Sequence, residues 1–436
     1  MKKMARTITW FVMAVCVGAC SASPAGEPVL RERLLEALAL GDFKQLEEAY
    51  SEAQQDFERD RKSDKKLGEV YYALSDLNQR FDHPTASKRL DEWAQQFPRS
   101  YAAKTVRGVY LIDRATQARG GKFADETSDE QFSEMRKWHA LAKQDLLASL
   151  KLTQYPLMSH IELYRIAMVG SDDQDRSIHF AKAFEMAPAS MQLHKQVMVS
   201  LTPRWGGAYE LMQAYVDKVG PELDSDKDRG ILKSMIIEDR AAALTKQEKY
   251  EEAYALYGEA ILLRDSTTYL CKRAYLGTLL KKPVVSILND LKAAAAKDAP
   301  YTYCATMAAS FAKANINQAE TLPLLGAYLK HFPKNVELYN ARAWVHQERN
   351  DQVSAFPDLL HSAELGNAWG QTMAGKYLFS GWGGTIDRVK ALGLLKAAAE
   401  QGEPNAQLSV VQALEFLGKP DEAQLAKQRY AAMRKR

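Results

Sequence analysis

The stretch Ala363-Glu364-Leu365-Gly366 returns 36 residues later as Ala399-Glu400-Gln401-Gly402. Between the two copies lie Ala374-Gly375-Lys376-Tyr377, Ser380-Gly381-Trp382-Gly383-Gly384, Asp387, Lys390-Ala391, Leu394-Leu395 and Lys396-Ala397-Ala398. The alanines let two helices approach closely. The glycines at 381–384 let the chain reverse, and Gly402 offers the left-handed stop that ends a helix. The segment reads as a helix–turn–helix unit that repeats.

The same pattern runs outward. Leu30, Leu34, Leu35 and Leu38 form one helical apolar stripe, Gly41-Asp42 breaks it, and Phe43, Leu46 and Tyr50 begin another. Tyr250-Glu251-Glu252-Ala253, Tyr257, Ala260 and Leu263 form a second helix whose partner spans roughly Lys233 to Leu244. Asp351 to Leu365, with Ala355, Leu359 and Ser362, is a weaker copy. Phe97-Pro98 and Arg107 recur as Phe332-Pro333 and Arg342, each 235 residues apart. No β-branched alternating run is bounded by hairpin turns. The expected fold class is all-α: a right-handed α-solenoid of antiparallel helix pairs.

The 363–402 stretch resembles the Sel1-like repeat, with its small residue and Tyr on the first helix, glycine turn, Asp, Lys-Ala and Lys-Ala-Ala-Glu-x-Gly ending. The 250–263 segment resembles the second helix of a tetratricopeptide repeat. Arg107-Gly108, Ala118-Arg119-Gly120 and Arg204-Trp205-Gly206-Gly207 together resemble the bacterial domain family DUF4034, over about residues 85–220. That resemblance implies no activity. The expected organisation is a signal peptide at 1–19 and a flexible tether at 20–27. A helical region at 28–220 includes the DUF4034-like segment. Tetratricopeptide-like repeats follow at 221–365, and a Sel1-like repeat with C-terminal helices at 366–436.

Lys2, Lys3 and Arg6 precede an apolar run, Ile8 to Val17, too short for the ~20 residues of a membrane span. Val17-Gly18-Ala19-Cys20 follows and resembles a bacterial lipobox, with Val17 in place of the usual leucine. The resemblance implies that Cys20 becomes the first mature residue and carries acyl chains. With Ser21 rather than Asp after it, it implies the periplasmic face of the outer membrane. A cut after Ala19 or Ala22, with Cys20 incidental, is the alternative.

The three basic residues of the n-region supply the whole formal charge of +3. The remaining chain is near neutral, which argues against a nucleic-acid partner. Apolar residues at 46% exclude wholesale disorder. Cys271 and Cys304 sit in apolar helical stretches one repeat apart. Neighbouring helix axes lie ~8–10 Å apart, whereas a disulfide needs Cα atoms within ~7 Å. Two buried thiols are therefore expected, with a disulfide as the alternative in an oxidising compartment.

Catalytic and metal signatures fail on their details. Gly370 to Lys376 has the outline of a phosphate loop, but Tyr377 replaces the required Ser or Thr and the stretch reads as helix. Asp224-x-Asp226-x-Asp228 has the outline of a calcium loop, but Gly230 is one place late and Met235 stands where glutamate is needed. The acids read as helix caps instead. No His-Glu-x-x-His or Gly-x-Ser-x-Gly occurs, so no catalytic residue, metal site or cofactor is expected. His160 and His179 are close enough to share a helical pair.

The candidate binding residues are Arg107, Arg119, Arg204, Trp205 and Trp382. Arginines beside glycine-rich turns can hold a carboxylate, whereas an internal Arg–Asp pair would only pin a loop. Each tryptophan is expected to plug the joint between helix pairs. The basic ending, Lys427, Arg429, Arg434, Lys435 and Arg436, reads as a solvated last helix, with anionic lipid as the other reading. The expected function is a non-enzymatic, lipid-anchored periplasmic scaffold for a protein or peptide partner in envelope assembly, secretion or cell-wall maintenance. The alternative is an unrecognised enzyme or small-ligand receptor with Arg204 and Arg119 lining a pocket.

Overall fold

The computed structural model describes residues 27–74, 77, 83–121, 126–297 and 302–433. Among them are 22 α-helices and no strand. The fold class is all-α, an α-solenoid of antiparallel helix pairs. The signal segment, Cys20 and residues 434–436 lie outside the described residues. The contacts fall into two compact units: residues 1–247 with 259–264, and residues 248–258 with 265–436.

The first unit opens with α1 (Glu27–Leu40) and α2 (Phe43–Arg59). Gly41 takes the left-handed turn at φ +76°. Asp42 caps α2 by accepting the Gln45 amide at 3.1 Å. Leu34, Leu38, Leu46 and Tyr50 are fully buried, as their stripes require. Next come α3 (Lys65–Ala73), α4 (His83–Gln96), α5 (Tyr101–Arg119) and α6 (Asp129–Ser149). Ser128 and Gln131 form a capping box at the head of α6. The helices α7 (Leu157–Val169), α8 (Asp173–Met186), α9 (Met191–Ser200), α10 (Tyr209–Val219) and α11 (Asp226–Lys246) complete the run. Ser225, rather than an aspartate, caps α11, and Asp226 and Asp228 sit in its first turn, where their charges favour the helix start.

One contact departs from a stack of neighbours. The helix α3 packs on α9, and Asp64 reaches across 126 residues to cap it. Its Oδ2 accepts the Ser190 hydroxyl at 2.5 Å and the Gln192 amide at 3.0 Å. Burial raises the Asp64 pKa, although these donors oppose the shift. A second buried knot lies nearby in sequence. Tyr72 donates to Glu162 at 2.8 Å, and Arg165 lies 3.4 Å from both Glu162 and Asp113. Such a fully paired buried cluster fixes which helices meet rather than adding much net stability.

After α12 (Tyr250–Leu263), the second unit is more regular. It runs through α13 (Thr267–Leu279), α14 (Val284–Ala295), α15 (Thr302–Ala314), α16 (Thr321–His331), α17 (Val336–Glu348) and α18 (Gln352–Glu364). The last four helices are α19 (Ala368–Ser380), α20 (Arg388–Glu400), α21 (Pro404–Phe416) and α22 (Pro420–Met433). From α13 on, each helix packs against the next one along the chain. Gly366 and Gly402 both end helices in the left-handed region, at φ +83° and +87°. Gly375 lies so close to Leu395 and the Ala391 carbonyl that a Cβ there would clash. Gly370 to Lys376 is helix within α19, which removes the phosphate-loop reading.

The cysteines correct the sequence expectation. Cys271 on α13 and Cys304 on α15 form a disulfide with Cα atoms 5.4 Å apart. Both are fully buried, and the alanines Ala274, Ala305 and Ala308 around them are buried too. Axis spacing overstates the gap, because Cα atoms lie ~2.3 Å off each axis, so facing residues on ordinarily spaced helices come within disulfide reach.

Candidate functional site

Arg107 is not free to bind a ligand. Its guanidinium makes two bonds to Asp145 on α6, each 2.7 Å, and a third to Asp91 at 3.0 Å. Arg342 on α17 makes the same fork on Asp358 of α18, at 2.8 and 2.6 Å. Arg273 on α13 makes it on Asp290 of α14, at 2.9 and 2.6 Å. In all three the arginine stands seven places past its helix cap: Ser100, Ser266 and Asn335. The aspartates are nearly buried, and the paired carboxylate raises each arginine's pKa. This is an internal clamp that locks one helix of a pair to the other. Arg107 therefore moves from candidate binder to structural residue.

The Arg-Trp-Gly-Gly block is a turn set by its glycines. The amides of Trp205 and Gly207 donate to the Thr202 carbonyl at 2.9 and 3.1 Å. Gly206 is left-handed at φ +82°. A Cβ on Gly207 would lie 2.0 Å from the Leu201 carbonyl oxygen, so only glycine fits there. That close backbone approach fills the joint, and Trp205 is left only half-buried. At the second such turn Gly383 packs directly on Phe356. Trp382 is pushed outward, 56% exposed, with its ring edge-on to Tyr377 at 5.6 Å. Neither tryptophan is the buried plug expected from sequence.

Arg204 and Arg119 do come together. Arg204 is exposed at the surface, as its place beside Pro203 suggests. Its pKa is lowered by desolvation first and then by the charge of Arg119, while Asp239 opposes both. Arg119 ends α5, with its guanidinium 5.9 Å from the Phe132 ring centre. Asp239 in turn accepts the Tyr209 hydroxyl at 2.9 Å, and Arg240 lies 4.7 Å over the Tyr209 ring.

Tyr209 and Arg240 lead from this cluster into an open cleft of about 610 Å³ between α10 and α11. Ile236, Ile237 and Leu263 supply its apolar wall, and Gln213 and Lys233 add polar groups. Arg204 and Arg119 stand beside the cleft rather than in its lining. Sequence reading missed Arg240, Asp239 and Lys233. They sit in an ordinary amphipathic helix, and only the packing of α10 on α11 singles them out.

His160 and His179 also meet, with their Nδ1 atoms 2.9 Å apart. Burial pushes His160 down to about 4 and lowers His179. No group of three metal-ligating side chains occurs among the described residues. No helix among them is long and apolar enough to cross a membrane.

Residues 31–174 match the family described as "Domain of unknown function (DUF4034)". The match starts and ends earlier than the expected span of about 85–220. It takes in Arg107, Arg119 and the buried Tyr72–Glu162–Arg165 knot, and it leaves out the Arg204-Trp205-Gly206-Gly207 block. No curated protein matches the chain. Among solved structures, c5321, a protective antigen of uropathogenic Escherichia coli displaying an SLR fold, aligns with 88% of this chain and 90% of its own. Identity is 13% and the TM-score 0.33. Yeast Tom70 aligns at 15% identity and TM-score 0.24, covering 93% and 85% of the two chains. The APC/C hetero-tetramer Cut9–Hcn1 aligns at 10% and 0.27, covering 94% of each. TM-scores this low carry no functional argument.

Proposed function

We propose that the chain is a non-enzymatic scaffold that holds a protein or peptide segment in the α10–α11 cleft. The single observation that carries this reading is the character of the cleft. It is open, its wall is apolar, Arg240 lines it, and Arg204 and Arg119 stand beside it. Its size suits a few side chains of a ligand. Apolar anchoring plus arginine contacts to a carboxylate is how a peptide segment is held. The receptor and enzyme reading asked for a deep pocket uniting the arginines with an acid or histidine. The lining brings Arg240 together with the acids Glu210 and Asp217 but holds no histidine, and Arg204 and Arg119 stand outside it; its open form, rather than a deep pocket, favours the scaffold.

The proposal extends to location. Cys20 carries the lipid, and the scaffold works on the periplasmic face of the outer membrane, in envelope assembly, secretion or cell-wall maintenance. The lipobox-like Val17-Gly18-Ala19-Cys20 supports this, and so does a buried disulfide, which persists in oxidising compartments. From Cys20 to Glu27 the extended chain reaches only about 25 Å, so acylation would keep α1 close to the bilayer. The test is capture of a partner by crosslinking in the native envelope, repeated with Arg204→Ala and Arg240→Glu. Loss of capture at an unchanged melting temperature supports the cleft. Undiminished capture by both variants refutes it.

A further inference from the structure

Four large apolar side chains stand exposed in the α19–α20 loop, the first turn of α20 and the end of α21. Trp382 and Ile386 are each 56% exposed, Phe416 is 64% and Val389 86%. Local contacts gather them. Ile386 lies against Gly381, the residue before Trp382. The Arg388 guanidinium lies 4.9 Å from the Phe416 ring centre and 5.7 Å from that of Phe379. The two phenylalanines meet edge to face at 5.3 Å. Val389 follows Arg388 in the first turn of α20. Single exposed apolar residues need no explanation, but a group of this size does.

The shape and charge of this surface point to its occupant. Gly381 and Gly384 turn the chain through the left-handed region, and a Cβ on Gly384 or Gly393 would meet nothing within 4 Å. Positions 384 and 393 therefore face solvent, and the loop with the first turn of α20 forms an exposed tip. Ten basic and six acidic residues give positions 366–436 a formal charge of +4, whereas the preceding 365 positions sum to −1. Asp387, the acid beside the tip, is engaged in capping α20, where it accepts the Lys390 amide at 2.9 Å. Glu415, next to Phe416, is paired with Lys427 at 2.6 Å. Arg388 and Lys390 are both exposed.

We propose that this tip docks on an anionic lipid bilayer, with Trp382, Ile386, Val389 and Phe416 entering the interface and Arg388 and Lys390 meeting headgroup phosphates. Aromatic and aliphatic side chains flanked by cations are the chemistry that holds a soluble body at a lipid surface. Exposed apolar side chains interleaved with Arg388 and Lys390 suit a penetrable anionic layer better than a rigid pocket. The contact goes beyond the N-terminal acyl anchor and does not depend on it. One acyl-type anchor plus one surface contact would make a two-point attachment.

The test uses the full chain carrying Cys20→Ala, which cannot be acylated, so failure of the lipid-anchor reading leaves this result unaffected. The probe is phosphatidylcholine vesicles containing ~30% phosphatidylglycerol, with pure phosphatidylcholine as the comparison. The chain should sediment with the anionic vesicles and bind neutral ones about tenfold more weakly. Trp382→Ser with Val389→Ser should weaken anionic binding by about tenfold, as should Arg388→Gln with Lys390→Gln. The second pair leaves the four apolar side chains in place, and a thermal melt of each pair shows that it is folded. Absence of binding to anionic vesicles overturns the proposal, as does binding that neither pair weakens. A concentration-dependent dimer abolished by the Ser pair also overturns it and assigns the tip to a second copy of the chain.

Discussion

Arg342 and Asp358 face each other across α17 and α18 through two parallel bonds, of 2.8 and 2.6 Å. The same fork joins Arg107 to Asp145 and Arg273 to Asp290. Each arginine keeps about a quarter of its side chain exposed, while each aspartate is nearly buried. Removing the arginine therefore strands a carboxylate between two helices. Arg342→Ala should lower stability by about 2–4 kcal/mol. Arg342→Lys should recover only part of that, because lysine cannot bond both oxygens in one plane. Thermal melts of the two variants check this, and partner capture by folded protein should be unaffected.

The first of these forks was half legible in sequence, through the echo of Phe97-Pro98 and Arg107 in Phe332-Pro333 and Arg342. The structure shows why the echo exists. In both places the chain turns after phenylalanine, and a Ser or Asn three places on caps the next helix, with bonds of 2.9 and 3.0 Å. Arg273 was not legible, because Leu263-Arg264 stands before its cap where the others have Phe-Pro. The helix pairs were readable because Gly41-Asp42, Gly366 and Gly402 are local signals. The long reach of Asp64 to α9, the disulfide and the outward tryptophans were not, since each depends on how closely backbones pack. Arg204 and Arg119 lie near each other but outside the lining expected of them, and the cleft beside them depends on α11, which carries no local mark.

The Cys271–Cys304 bridge closes a loop of 33 residues. Its removal should cost about 3–4 kcal/mol. Both sulfurs are buried, so reductant should act only after the second unit opens. A thiol titration of unfolded, unreduced protein should find neither cysteine free. Two titratable thiols there would restore the sequence expectation.

Acid should weaken the first unit. Burial, with Arg165 adding to it, lowers His139 to about 4, and burial with His179 and Lys182 lowers His160 to about 4. In the unfolded chain these groups titrate near the usual ~6.5. Between these values the unfolded state binds more protons, so their contribution is complete above pH ~6.5 and is lost as pH falls towards ~4. Each histidine should account for on the order of 2–3 kcal/mol of that loss. Urea melts across the range should show it, and His139→Asn should flatten the slope.

Cys20→Ala should release the protein into the soluble periplasmic fraction unless the Trp382 tip holds it on anionic lipid. A salt wash separates the two contacts, because only the tip depends on charge. Mass spectrometry of the wild-type N-terminus should find an acylated cysteine. An unmodified mature terminus beginning elsewhere would rule out the anchor.

Trp205→Ala should cost only about 1–2 kcal/mol, because the ring is half-buried and Gly207 already fills the joint. Arg204→Ala should move the melting temperature less still. A comparably severe loss of stability in Arg204→Ala, without loss of partner capture, would remove the arginine cluster from the binding site.

The central claim is that the α10–α11 cleft holds a protein segment. A photo-crosslinking amino acid placed at Gln213, inside the cleft, and separately at Lys44, exposed on α2, tests it most directly in intact envelopes. The account predicts one discrete protein adduct from position 213, absent from position 44 and lost when Arg240→Glu is added. Adducts of equal yield from both positions, or none from 213, would contradict it.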